Sequence, residues 1–132
     1  MPYIPEPQKQ AQIKKWSPYW SDLLLKNGVP ASKLNLVLSQ IILESNYFTS
    51  DPYKLDNNPA GITWNYKYKK RPGASVGRPR PGSEGGNYVK FDSYDSAAKD
   101  YVRIINMDLG YGKPIDSANY VKYADKIGRA HV

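Results

Sequence analysis

The most apolar stretch of the chain is residues 34–43, LNLVLSQIIL, in which seven of ten positions are aliphatic. On a helix of 3.6 residues per turn these side chains cover more than one face, which is typical of a buried helix. The pattern therefore predicts a buried helix over about residues 31–45, opened by Pro30, with Ala31 or Ser32 near its cap.

Glu44 follows this apolar stretch directly. A carboxyl at the end of a buried helix is partly desolvated, which raises its pKa, and the negative end of the helix dipole acts in the same direction. A carboxyl that stays protonated near neutral pH can serve as a general acid. The alternative is a solvated glutamate at a helix end, and the pattern alone does not choose between the two.

The chain before this helix predicts a helical scaffold. Residues 1–6 are rich in proline and should be an extended lead-in, and residues 8–16 have a helical pattern. Ser17-Pro18 then either kinks the helix or restarts it with Ser17 as the N-cap. An apolar stripe follows, and Asn27-Gly28 is a helix stop. The stripe consists of Tyr19, Trp20, Leu23 and Leu24.

A strand pattern follows the turn-forming cluster at residues 57–61. Apolar and aromatic residues alternate there with polar or basic ones, as in a half-buried strand. The apolar positions are Ile62, Trp64, Tyr66 and Tyr68. The row of rings can line a small core and also face a ligand, and we expect Trp64 to contact a sugar.

Residues 69–86 are rich in Gly, Pro, Lys and Arg, which predicts a loop or a long hairpin tip. Residues 87–91 should form a short return strand. The basic segment 69–80 is either a solvated loop or a contact for polyanions. Glu84 is the only acid of residues 69–86.

The C-terminal part predicts two further helices. The first spans about residues 94–109 and is capped by Ser93 or Ser96. Its apolar face consists of Ala97, Tyr101, Ile104 and Ile105. The acids near its start are explained by the positive end of the helix dipole. The last helix should begin near Ser117.

The length and net charge of the chain limit the number of domains and the kinds of partner that we expect. With 132 residues the chain should form a single domain over residues 1–132, and we expect a monomer. The net charge of +7 favours polyanionic partners such as nucleic acid, anionic membrane or acidic wall polymers. We expect no membrane span and no secretory signal, because no apolar run is long enough and the N-terminus lacks a basic and apolar leader.

Several kinds of chemistry are excluded by missing motifs. The sequence has neither of the glycine-rich nucleotide-binding motifs and no cysteine. Its one histidine, His131, excludes a histidine-cluster zinc site and argues against a Ser-His-Asp triad, so we expect no metal and no cofactor. Carboxylates and tyrosines remain, and they are the groups that a glycoside hydrolase uses.

Three motifs then carry a family resemblance in the expected order: QIILES at residues 40–45, NNPAGI at 57–62 and FDSYDSAAKDY at 91–101. Together they resemble glycoside hydrolase family 73, the glucosaminidases that cleave peptidoglycan. Its pattern is an apolar helix ending in A-Q-x-x-L-E-S, an N-N-x-x-G-I turn and an F-x-x-Y-x-S helix start. The resemblance covers about residues 28–109.

This resemblance implies an α+β, mainly α, lysozyme-like fold with a cleft between a helical lobe and a small β-hairpin lobe. It implies that Glu44 is the general acid and that Glu84, seven residues before Phe91, is the second catalytic carboxylate. Glu84 would activate water or support the transition state, unless the substrate N-acetyl group is the nucleophile. The substrate contacts expected are Tyr47, Asn58, Trp64, Tyr66, Tyr88 and Tyr120.

The sequence departs from the family pattern at Phe48, where the family usually has Gly, and at Ala60, where it usually has Phe. It also contains no A-T-D-P-x-Y segment, which is common near the end of the family's domain. Residues 126–132, KIGRAHV, match an in-frame translation of a common sequencing adapter, so we expect them to be non-native.

The function expected is therefore an endo-β-N-acetylglucosaminidase that cuts β-1,4 bonds of peptidoglycan glycan strands and is held on anionic wall polymers by the segment 69–80. It would act on the bacterial cell wall, and the missing signal favours delivery as a phage lysin or a virion enzyme. A lytic transglycosylase and a non-catalytic wall-binding or virion module are alternatives. A nucleic-acid partner is not expected, because no known binding module fits.

Overall fold

The computed structural model of the protein describes residues 2–64 and 72–108. Four helices and two strands make up this part, in the order α1 (Glu6–Lys26), α2 (Leu34–Glu44), α3 (Asp51–Asp56), β1 (Ala74–Pro79), β2 (Asn87–Phe91) and α4 (Tyr94–Asp108). Short 3₁₀ turns lie at Ala31–Lys33 and Gly82–Glu84. The architecture confirms an α+β, mainly α, fold for these residues.

Helix α1 is one continuous helix of 21 residues and contains Pro18. Of the two alternatives at residues 17–18, the restart with Ser17 as the N-cap is therefore wrong. A proline inside a helix costs one backbone hydrogen bond, and here burial on the following turns offsets it, because Trp20 and Leu24 are fully buried. The helix ends as predicted: Asn27 N–H donates to Leu23 O, and Gly28 takes a φ of +101° that suits glycine.

Helix α2 occupies the predicted stretch and ends at Glu44. It is less buried than its sequence suggests, because only Val37 and Ile41 are fully enclosed and Leu43 is 54% exposed. The all-round burial expected for this helix is therefore wrong. Its remaining aliphatic side chains pack partly against the core or face the surface.

Helix α3 was not predicted from the sequence and directly precedes the turn-forming cluster at residues 57–61. Ser50 caps it by accepting a hydrogen bond from the backbone N–H of Tyr53, and Asn57 ends it in the left-handed conformation. Six residues are too few for a helical period to show in a sequence. The helix places Tyr53 in the core, where Trp20 Nε1 donates to the Tyr53 hydroxyl at 3.1 Å.

Strand β2 lies between two neighbours. On one side it pairs antiparallel with β1, with Ala74 opposite Phe91 and Val76 opposite Val89, and a bulge precedes Pro79. On the other side Thr63 bridges to Tyr88, and Val89 N–H donates to Ile62 O at 2.8 Å. The return strand at residues 87–91 is confirmed.

The expectation that residues 69–86 form only a loop or hairpin tip is wrong over Ala74–Pro79, which is strand β1. Its glycine and proline content hides the strand, yet Gly77 is required there. A Cβ at position 77 would lie 2.9 Å from Asp56 Oδ1 and 2.9 Å from Tyr88 O. The missing side chain therefore lets β1 approach α3 and β2.

Helix α4 begins at Tyr94 with Ser93 as its cap, since Ser93 Oγ accepts from Ser96 N–H at 3.1 Å. This confirms Ser93 rather than Ser96 as the capping residue. The predicted inner face is confirmed, with Ala97, Tyr101 and Ile105 buried and Ile104 partly buried. The helix expected to begin near Ser117 lies outside the described residues.

The described residues share one hydrophobic core. It joins α1, α2, α3, β2 and α4 through one cluster of buried side chains, and rings supply much of it. Tyr53 and Tyr94 stack at 4.8 Å between centroids, and Trp16 meets Tyr53 edge-on at 5.4 Å. The small sheet thus packs on the helices through the same cluster of buried side chains that joins the helices to one another.

Candidate active site

Glu44 is the last residue of α2, and the chain turns sharply after it. Its side chain is partly buried, and desolvation raises the pKa of the carboxyl from 4.5 to about 8. A fully solvated glutamate is therefore not what the structure shows. Near neutral pH the carboxyl carries a proton, which is the state that a general acid needs.

The turn after Glu44 is strained. Asn46, Tyr47 and Phe48 have φ values of +51°, +60° and +63°, three non-glycine residues in succession in the left-handed region. Each such residue costs on the order of 1 kcal/mol or more, and strain of this kind persists only where the surroundings hold it.

Ser45 closes this turn from within. The residue is fully buried, its Oγ accepts from Phe48 N–H at 2.9 Å, and its carbonyl accepts from Thr49 N–H at 3.0 Å. Tyr47 N–H donates to Ile42 O at 2.8 Å, which ties the turn to the last turn of α2. The backbone after Glu44 is thus fully engaged.

Phe48 occupies the position where the family usually has glycine, and its positive φ explains that preference. The phenylalanine is retained here because its ring is buried, 5.4 Å from the ring of Tyr53 and 6.2 Å from that of Trp16. Burying a ring of this size contributes more than the strained backbone costs. The departure from the family pattern therefore has a local compensation.

Tyr47 lies in the same turn as Glu44, three residues further along, with its side chain half-buried. The ammonium of Lys9 lies 4.9 Å from the centroid of its ring. Such a contact limits the orientations of the ring. Of the substrate-binding residues expected from the sequence, Tyr47 is the one that the structure places in the same turn as the acid.

The expectation that Asn58 contacts substrate is wrong. Asn58 is completely buried, and its side-chain amide binds backbone on both sides. Its Nδ2 donates to Ile62 O at 2.8 Å and to Val89 O at 2.9 Å, and its Oδ1 accepts from Ile62 N–H at 3.0 Å. The residue holds the segment at 62–64 against β2 and exposes no surface to a ligand.

Trp64 and Tyr88 lie on adjacent segments of the small sheet, and both are half-buried. Thr63 is opposite Tyr88, and side chains alternate along a strand, so the Trp64 side chain belongs to the other face of the sheet. Trp64 packs partly against the core. The structure thus does not bring these two rings together on one face.

Glu84 ends the 3₁₀ turn between β1 and β2. Its side chain is 54% exposed, and Oε2 lies 3.2 Å from Arg80 Nη2. The two expected catalytic carboxyl groups therefore differ in setting, since Glu44 is desolvated and Glu84 is an exposed, ion-paired group. Tyr66 and Tyr120, the other expected contacts, lie outside the described residues.

One contact to the site had no sequence signal. Gln12 of α1 reaches the strained turn and donates from Nε2 to Tyr47 O at 3.3 Å and to Phe48 O at 3.4 Å. The residues are 35 and 36 positions apart, and a glutamine on a helix surface has no motif that would announce such a contact.

Within residues 2–64 and 72–108, no group of three His, Cys, Asp or Glu side chains is arranged to hold a metal ion. Among the helices in these same two ranges, none combines the length and the apolar character that crossing a bilayer requires.

Among solved structures, the catalytic domain of the autolysin Auto from Listeria monocytogenes is similar to this chain, with a TM-score of 0.47 and 20% sequence identity. The match covers 80% of this chain and 60% of that one. No curated protein matches. The model of the glucosaminidase family, described as mannosyl-glycoprotein endo-beta-N-acetylglucosaminidase, matches residues 17–132. This match includes the three motifs and Glu44, and the chain therefore belongs to the glucosaminidase family of glycoside hydrolases.

Proposed function

We propose that this domain is a peptidoglycan hydrolase, an endo-β-N-acetylglucosaminidase that cuts β-1,4 bonds beside N-acetylglucosamine in bacterial cell-wall glycan. The observation that supports it best is the burial of Glu44 at the end of α2, which raises the pKa of this carboxyl to about 8 in a chain of the glucosaminidase family. A protonated carboxyl can donate its proton to the departing glycosidic oxygen.

Glu84 is the proposed second carboxylate. An exposed carboxylate suits the roles of activating water or stabilising positive charge on the sugar ring, both of which need the negative form. Before substrate binds, Glu84 is paired with Arg80, with 3.2 Å between Oε2 and Nη2. The substrate N-acetyl group is the alternative nucleophile, and in that route Glu84 would only orient or stabilise it.

Tyr47, Trp64 and Tyr88 are the proposed sugar contacts among the described residues, because half-buried rings offer a flat apolar face and a polar tip. Tyr66 and Tyr120 are proposed for the same role from the sequence. The segment 69–80 is proposed to bind anionic wall polymers, supported by the net charge of +7. Within this segment, Arg78 forms a long ion pair with Asp51, with 3.9 Å between Nη1 and Oδ2.

The test compares wild type with Glu44→Gln on purified cell walls. We expect wild type to clear a wall suspension and to release reducing ends, and Glu44→Gln to be slower by about 10²-fold or more, because it cannot donate a proton. The matched control is Glu6→Gln, an exposed glutamate on α1, which should keep full activity. Equal activity of wild type and Glu44→Gln, with both folded, would exclude Glu44 as the acid.

A lytic transglycosylase is the second candidate, favoured by the finding that only Glu44 of the two carboxyl groups is partly buried and has a raised pKa. Such an enzyme needs one acid and closes the sugar on itself to an anhydro product. Mass spectrometry of the released fragments distinguishes the two, since hydrolysis adds water and the transglycosylase reaction does not. Binding to walls without any cleavage would instead support a non-catalytic wall-binding module.

A further inference from the structure

The strained turn after Glu44 is held from outside by the beginning of the chain. Residues 46–48 need external support, because their left-handed backbone conformation is intrinsically unfavourable. Three contacts reach this turn from the first twelve residues. Gln12 binds two of its carbonyls, Lys9 lies over the ring of Tyr47, and Pro2 O accepts from Asn46 Nδ2 at 3.1 Å.

Gln12 is the central contact of the three. A primary amide carries two N–H groups, and here Nε2 is within hydrogen-bond distance of two consecutive carbonyls, those of Tyr47 and Phe48. Among the described residues, no other hydrogen bond to these two carbonyls is seen. A carbonyl that loses its partner in a partly buried place is unfavourable, because its lost hydration is no longer compensated by a hydrogen bond. Gln12 therefore favours the left-handed conformation over alternatives that would turn these carbonyls elsewhere.

This turn lies next to two of the groups that we place in the site. Tyr47 is its middle residue, and Ser45 alone separates it from Glu44. A rotation of the peptide units at 46–48 would move the ring of Tyr47 and loosen the end of α2. Gln12 also lies outside the part of the chain that the family model matches, which begins at residue 17.

We propose that Gln12 is a positioning residue: by binding the carbonyls of Tyr47 and Phe48 it holds the turn that sets Glu44 and Tyr47 toward a β-linked amino-sugar glycan. The inference rests on the proposed function, since it assumes that Glu44 is the acid. Gln12 itself touches neither sugar nor the reacting bond.

The main test is Gln12→Met, which keeps the length of the side chain and removes the amide. The matched control is Gln10→Met on the same helix, whose amide donates to Glu6 one turn earlier. On purified glycan strands we expect kcat of Gln12→Met to fall about 10-fold, with a smaller change in KM, because a displaced acid lowers the rate more than it weakens binding. Gln10→Met should match wild type.

Gln12→Glu supplies a conditional rescue. Ionised glutamate has no hydrogen to donate and repels both carbonyls, whereas protonated glutamate can donate one hydrogen bond. We therefore expect this variant to lose activity near neutral pH and to recover toward wild type below about pH 4.5, where a glutamate side chain is protonated. Gln12→Met should show no such recovery, since methionine does not titrate.

A readout that does not need activity separates this inference from the proposed function. Carbon-13 NMR titration of Glu44 should show a pKa moved toward its ordinary value in Gln12→Met, because a looser turn admits water. If Gln12→Met lowers only the melting temperature, with kcat relative to wild type and the titration of Glu44 unchanged, Gln12 is merely structural and the inference fails. If Glu44→Gln is as active as wild type, the proposed function fails, whatever the titration shows.

Discussion

Glu84 and Arg80 form an ion pair at the turn between β1 and β2, with 3.2 Å between Glu84 Oε2 and Arg80 Nη2. The pair is exposed, with 54% of the glutamate side chain open to solvent. Pairs of this kind contribute at most about 1 kcal/mol to stability, because water competes for both charges. The pair therefore restrains Glu84 only weakly, and the carboxylate remains free to turn to a substrate.

Because the ion pair is weak, we expect substitutions of Glu84 and of Arg80 to have different effects on activity. We expect Glu84→Gln to lower kcat on peptidoglycan by about 10²-fold, because it removes the proposed base. Arg80→Gln should lower kcat by less than about 5-fold, since it removes only the exposed pair. Released reducing ends measure both. Full activity of Glu84→Gln would assign the second role to the substrate N-acetyl group or to another residue.

The raised pKa of Glu44 predicts that the acid destabilises the fold at neutral and alkaline pH. Below pH 4.5 the carboxyl is protonated in both folded and unfolded chains and costs nothing. Between pH 4.5 and about 8 the unfolded chain releases its proton and the folded chain does not, so the free energy of unfolding falls. Glu44→Gln should therefore be more stable than wild type by roughly 2–4 kcal/mol at pH 8 and nearly equal at pH 4.

Urea denaturation at pH 4 and pH 8 measures this difference. Glu6→Gln, at an exposed position, should show no such dependence on pH. An unchanged stability of Glu44→Gln at pH 8 would mean that the carboxyl of Glu44 is not desolvated in solution.

Asn58 should be among the residues most important for stability. Asn58→Ala removes three hydrogen bonds within the protein, taking the side-chain donor from Val89 O and the acceptor from Ile62 N–H, so we expect a loss of about 2–5 kcal/mol. Thermal or urea unfolding measures it. Asn35→Ala, at an exposed position of α2, is the control and should change stability by less than about 0.5 kcal/mol. A small effect of Asn58→Ala would show that the segment at 62–64 does not depend on this amide.

The contacts of the Asp95 carboxylate predict that the free energy of unfolding decreases in acid. Its carboxylate accepts from Asn27 Nδ2 at 3.1 Å and lies 3.0 Å from Lys99 and 3.4 Å from Lys26, and these contacts, led by the Asn27 hydrogen bond, lower its pKa to about 2. Its stabilising contribution is complete above pH 3.8, the ordinary value, and is lost as the pH falls through about 2.

Asp95→Asn should remove this component, so its stability should fall less steeply than that of wild type between pH 4 and pH 2. Circular dichroism during acid titration measures it, with Asp22→Asn on the exposed side of α1 as the control. Parallel acid curves for wild type and Asp95→Asn would contradict the prediction.

The sequence predicted those parts of the fold that have a local signal. The aliphatic stretch located α2 and put Glu44 at its end, Ser93 marked the start of α4, and the return strand expected at residues 87–91 is β2. These succeed because periodicity and capping act between residues that are near one another along the chain.

The failures concern contacts between distant residues. Strand β1 was missed because its glycine serves close approach to Asp56, which no local pattern reveals. Asn58 was assigned to substrate because an asparagine in a turn has the same letter whether its amide faces a ligand or the backbone of β2. For the same reason the contact of Gln12 with the turn after Glu44 became visible only in the structure.

The shared interior of sheet and helices constrains how a glycan can be admitted. Val89 and Phe91 of β2 are sealed in the same cluster as Trp20 of α1 and Ile105 of α4. Separating the strands from the helices would expose the side chains of both strand residues to water, at a free-energy cost of about 1.5–3 kcal/mol for each side chain. Within the described residues, separation of the sheet from the helices is therefore unfavourable, and we expect a glycan to be accommodated by rotation of ring and carboxylate side chains.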